Sequence, residues 1–206
     1  MTLSHFLYFL GASIAITVAP GPDNLFVMTQ GITRGRKPAI ITALGMCSGL
    51  SIHTTAAAFG ISALFYSSAI AFNAVKFTGS MYLLFLACRT LKDRTRIELA
   101  STDDLPAAAL FRRGFLMNVL NPKVAMFFLA FLPQFVPPYA RHITLHILLL
   151  GLVFMVQAVV IFSLIGYFSG SIAKTLLSRP KIARYFDWLT AGVFTSLGIR
   201  LALTER

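Results

Sequence analysis

The chain has 206 residues, of which 57% are hydrophobic and 12% charged, and its mean hydropathy is +0.77. Soluble domains carry charge on roughly a quarter of their residues, so a water-soluble globule is excluded. At about 20 residues per span the length suits six membrane helices with short loops. The net charge of +11 would suggest nucleic acid in a soluble protein. Here the basic residues lie between apolar segments, where they set orientation and meet lipid headgroups, so no nucleic-acid partner is expected.

The first apolar segment covers residues 5–29 and is interrupted at Pro20-Gly21-Pro22-Asp23-Asn24. It lacks the basic start of a signal peptide, and apolar sequence continues beyond the break, so a retained first helix is expected. The second segment, 39–64, holds Cys47 and His53; the third, 68–88, holds Tyr82. With no CxxC and no neighbouring His cluster, Cys47 and Cys88 read as packing residues, and neither a metal nor a cofactor is expected. A polar stretch over 89–106 follows. The fourth segment, 111–135, is interrupted at Asn121-Pro122-Lys123 and closed by Pro133, Pro137 and Pro138. The fifth covers 145–169 and holds Gln157; the sixth covers 186–203. The expected fold is an all-α polytopic membrane protein forming a single transmembrane domain over 1–206. Its halves are 1–90 and 108–206, joined by a linker over 91–107.

Basic residues fix the orientation. The loops after segments one, three and five, with their flanks, hold Arg34, Arg36, Lys37, then Arg89, Lys92, Arg94, Arg96, Arg112, Arg113, then Lys174, Arg179, Lys181 and Arg184. These are 13 of the 18 Lys and Arg residues. The positive-inside rule puts those stretches in the cytoplasm and both termini outside. Three helices per half is an odd number, so the halves enter the membrane from opposite sides. The six helices are therefore expected to form a 3+3 inverted-topology repeat with broken helices 1 and 4. Pro22 and Pro122 stand 100 residues apart; Gly45 and Gly151, like Gly60 and Gly166, stand 106 apart, and Gly79 and Gly192 make a looser pair.

An acid and a base beside these breaks carry the functional reading. Charge and broken backbone are tolerated in the bilayer only where protein or water surrounds them. Pro20, Pro22 and Pro122 interrupt the helices, and a segment restarting after a break offers free N–H groups to an anion. An amino-acid zwitterion needs both kinds of partner. Gly21 and Lys123 suit its carboxylate, Asp23 its ammonium, and Asn24, Asn118 and Asn121 either end. Asp23 is also the candidate proton-coupling group. His53, Gln157 and Tyr82 are further candidates to line the cavity. An Asp23–Lys123 ion pair that only joins the halves is the competing reading. Gly45-xxx-Gly49 and Gly166-xxx-Gly170 are small-residue faces for close helix packing, within a chain or in a homo-oligomer.

At these motifs the chain resembles the LysE/RhtB group of amino-acid efflux proteins. Ala19-Pro20-Gly21-Pro22-Asp23 is similar to the signature of its first helix, and Gly79-Ser80-Met81-Tyr82-Leu83 to a pattern of its third. Asn118 with Leu120-Asn121-Pro122-Lys123 and Phe127-Phe128 through Pro133-Gln134-Phe135 resemble its fourth-helix motif. Ala87-Cys88-Arg89 departs from the small residues many members carry there. The resemblance implies secondary active export of amino acids across the bacterial inner membrane, coupled to proton influx, with the homoserine and threonine branch favoured.

Two other classes are weighed on the residues. A metal exporter or a membrane enzyme would need clustered ligands or a catalytic set, and the segments supply neither. An oligomeric channel for small solutes would explain the small-residue faces but not an acid and a base matched across inverted halves.

Overall fold

The computed structural model describes residues 2–19, 21–67, 69–92, 105–136, 142–178 and 180–203. Pro20, most of the expected linker and the prolines at 137 and 138 lie outside the described residues. Everything described is helix or short connection. Helix α1 (Leu3–Val18) starts where the Thr2 hydroxyl accepts from the His5 amide at 3.4 Å. Helix α2 (Pro22–Arg34) begins with proline in its first turn, where a missing N–H leaves no bond unmade. It ends at Gly35, whose φ of 88° is a conformation side chains rarely adopt. Helix α3 (Arg36–Ser67) leaves directly from that turn.

Helix α4 (Ala69–Lys92) completes the first half. In the second, α5 (Ala107–Val119) breaks before α6 (Pro122–Met126). The chain then widens into a π-helical turn over Phe127–Phe131 and tightens into a 3-10 turn over Leu132–Phe135. Helices α7 (Ile143–Tyr167), α8 (Ser169–Ser178) and α9 (Pro180–Leu203) follow. Lys174, Lys181 and Arg184 therefore sit on helices, where the sequence suggested a loop.

Two helices, α7 and the Arg36–Gly60 part of α3, are long and apolar enough to cross a membrane. The bent pairs raise this to four if each is one span: α1 and α2 meet at 57°, and α5 meets the stretch from Pro122 to Phe135 at 48°. Helix α7 is apolar all round. It buries Ile147, Leu150, Phe154 and Phe162 and exposes Leu145, Leu152, Val156 and Leu164, as a lipid-facing helix does.

Helix α3 packs against both α5 and α7, and α4 packs against α9. Glycine makes the closest of these approaches possible. A Cβ on Gly45 would strike the Phe111 carbonyl of α5, and one on Gly114 would strike the Thr42 carbonyl of α3. The small-residue face of α3 is thus used within the chain. Of the glycine pairs, Gly45 and Gly151 both meet a neighbouring helix, whereas Gly60 and Gly192 have nothing within 4 Å of an added Cβ.

Gly45→Ala should force α3 and α5 apart at a cost of about 1–3 kcal/mol. Thermal unfolding in detergent should show a clearly lowered midpoint, with Gly60→Ala at or above the wild-type value.

Candidate functional site

The site forms where the two breaks meet. Ending α1 at Val18 releases its last carbonyls inside the protein, where water cannot satisfy them. Two side chains take them up. The Asn24 amide donates to the carbonyls of Thr17 (3.0 Å), Val18 (2.9 Å) and Ala19 (3.1 Å). The Lys123 ammonium arrives from α6 and donates to Ile16 (3.2 Å) and Ala19 (3.1 Å). A cation at the C-terminal end of a helix also suits the helix dipole. Gly21 permits the approach, since a Cβ there would lie 3.1 Å from Lys123 Nζ.

The second break is finished differently. The Asn121 side chain accepts from the Lys123 backbone amide at 3.0 Å and so caps α6. No side chain caps α2. Asp23, in the first turn of α2, is 2% exposed and accepts at Oδ2 from the Asn118 amide of α5 at 3.2 Å. Lys123 gives its hydrogen bonds to α1 instead, and no direct Asp23–Lys123 ion pair forms among the described residues. The two charged groups line the same cavity, and Lys123 joins the halves through α1 and not through Asp23.

The surrounding hydrogen bonds fix which atoms remain. A carbonyl can only accept, so the Asn24 amide nitrogen must face α1 and its Oδ1 must face away. Asp23 Oδ1 and Asn24 Oδ1 are both buried without a hydrogen-bond partner among the described residues. Two adjacent residues thus present spare acceptors beside a cation that is already held.

Asp23, Asn118 and Lys123 line one cavity with Thr17, Ile16, Leu50, Val124, Phe127, Phe154 and Phe162. Its volume is about 20 Å³, measured as the room for the centre of a water molecule. Roughly 10–15 Å³ takes one water on that measure, so the cavity is too small for an amino acid. This arrangement leaves no room for substrate.

The remaining sequence candidates fall around this centre. His53 donates from Nε2 to the Asn118 carbonyl at 3.0 Å and packs on Phe128. Gln157 donates to the Thr17 hydroxyl at 2.9 Å, and Thr17 donates to the Ser13 carbonyl at 2.8 Å. Tyr82 is half-buried on α4 beside Phe85 and does not line the cavity. Thr17 and the apolar lining were missed from sequence. A polar residue one turn before the break was the available signal for Thr17. Among the described residues, no three His, Cys, Asp or Glu side chains are grouped to hold a metal.

Comparison with known proteins gives the family. Residues 14–205 match the family of LysE type translocators. An uncharacterized membrane protein of Vibrio cholerae serotype O1 is 29% identical over 209 residues, covering 100% of each chain. Leucine efflux proteins of Salmonella typhimurium and Salmonella typhi are each 28% identical over 207 residues, covering 98% of this chain and 96% of theirs. No solved structure matches. The chain belongs to the LysE type translocators, the LysE/RhtB amino-acid efflux family, and is a membrane transporter and not an enzyme.

Asn24→Asp should destabilise the protein more than Asn24→Ala. Alanine leaves the Thr17 and Val18 carbonyls without the Asn24 donor, at about 1–3 kcal/mol, whereas aspartate adds a repelling charge. Thermal unfolding of the three proteins orders them.

Proposed function

We propose that this protein exports a neutral amino acid across the bacterial cytoplasmic membrane in exchange for protons. The observation that carries the reading is the pair of spare acceptors, Asp23 Oδ1 and Asn24 Oδ1, beside a buried ammonium already bound to backbone carbonyls. In the closed form Lys123 holds the place that a substrate ammonium takes. When substrate arrives, its ammonium binds the α1 carbonyls and Asp23. Lys123 then turns to the carboxylate, together with the uncapped start of α2.

The rest of the lining supports a neutral substrate. Ile16, Leu50, Val124, Phe127, Phe154 and Phe162 offer an apolar surface, and a basic side chain would find no second carboxylate among them. The Salmonella relatives, named for leucine efflux, favour an aliphatic side chain over the threonine or homoserine suggested by sequence. Asp23 is the group that exchanges its proton for substrate.

Six spans are part of the same proposal: α1 with α2, α3, α4, α5 through Phe135, α7 and α9. Helices α4 and α9 have 24 residues each, or about 36 Å at 1.5 Å per residue, enough to cross. The contacts of α3 with α7 and of α4 with α9 pair the corresponding helices of the two halves, which supports an inverted 3+3 repeat. The repeats would be 1–90 and 108–206 with a cytoplasmic linker over 91–107, and both termini outside. Rocking of these repeats would open the site to each side in turn.

Counterflow in proteoliposomes with leucine, threonine, homoserine and lysine tests this reading. The expected result is saturable exchange of neutral amino acids by the wild type. Asp23→Asn should lower proton-gradient-driven flux at least ~tenfold, equivalent to about 1.4 kcal/mol in the barrier. A solute-independent conductance, or silence across the panel from folded protein, would contradict it.

A further inference from the structure

Gln30 lies on α2, seven residues beyond Asp23, and is fully buried. Neither polar atom of its amide has a hydrogen-bond partner among the described residues. A buried amide without partners is costly, and leucine would fill the same space without that cost. Its position suggests why a polar group stands there. At 3.6 residues per turn, Asp23, Val27, Gln30 and Arg34 share one face of α2.

Helix α2 packs chiefly on α3, α7 and α8, and the two ends of this face reach α5 and the residue before it. Asp23 accepts from Asn118 at 3.2 Å, and Arg34 donates to the Leu105 carbonyl, just before α5, at 2.9 Å. Between them Arg113 lies over the Phe26 ring at 5.0 Å. The contacts run in opposite chain directions, so Gln30 stands level with the first turns of α5, where Leu110 is also buried. Along the axis it is roughly 10 Å from Asp23, toward the end of α2 that carries the basic residues. Gln30 does not line the central cavity.

We propose that Gln30 is a second binding station for the amino-acid substrate, on the cytoplasmic side of the central site. Its amide nitrogen donates to the substrate carboxylate and its amide oxygen accepts from the ammonium as α2 and α5 part. An uncharged group that both donates and accepts suits a zwitterion in transit, because it holds either end without trapping it. The proposal rests on the transporter reading above.

The test uses the full chain in oriented proteoliposomes, with leucine or threonine, whichever the wild type carries faster. Gln30→Leu removes both polar atoms at similar volume. Its KM from the cytoplasmic face should rise about tenfold, a change of one decade in apparent affinity, while its outer-face KM stays unchanged. Its unfolding temperature should match or exceed that of the wild type, since the closed form loses an unpartnered amide. Gln30→Met, which fills the space flexibly, supplies the same readouts if the leucine variant does not fold. Wild-type KM values on both faces in the folded variant would overturn the proposal and leave the transporter reading standing. If the wild type carries no amino acid, the transporter reading falls and this proposal falls with it.

Discussion

A helix that stops inside a membrane protein leaves carbonyl oxygens with no water to bond them, and the interior of this protein is arranged around that constraint. The last turn of α1 is held by Asn24 across the break and by Lys123 from the other half of the chain. The Lys123 bonds tie the two halves at one point. Asn118 adds the reverse tie, reaching from α5 to Asp23 on α2.

The two breaks are not equivalent. Asn121 caps the second, so α6 begins with its amides engaged. The first keeps α2 uncapped and carries the acid. This asymmetry separates the roles of the two charges: Lys123 stabilises the end of a helix, while Asp23 retains an oxygen without a partner. Beyond the site, Phe127, Phe128, Phe131 and Phe135 stack along the π-helical and 3-10 turns and meet Phe9 and Phe154. Rings packed edge to face close that side with apolar surface. The α2–α5 side is closed in part by the polar contact of Arg34 with Leu105.

Much of this was legible in the sequence because proline and charge are rare inside apolar segments. Pro22 and Pro122 marked the breaks, and Asp23, Asn118 and Lys123 were singled out and lie together in the cavity lining. The partners of Lys123 were not legible, since a bond to a backbone carbonyl leaves no trace in residue type. The same holds for Asn24, whose acceptors are five to seven residues behind it. Leu50, Phe154 and Phe162 could not be picked out because α3 and α7 are apolar around much of their circumference, so no periodicity marks the inner face. Tyr82 looked as if it sat deep enough to reach the cavity, but α4 turns it toward Phe85.

The most direct test of the account is a solid-state NMR distance, in lipid, between a nitrogen-labelled substrate ammonium and the carbonyl carbon of Ala19. Ala-Pro occurs once in the chain, at Ala19-Pro20, so paired labelling of alanine carbonyl and proline nitrogen isolates that signal. The account predicts a dipolar contact at hydrogen-bonding range, with the Lys123 ammonium displaced from the same carbonyl. A bound amino acid that shows no contact with Ala19, while Lys123 stays in place, would contradict it.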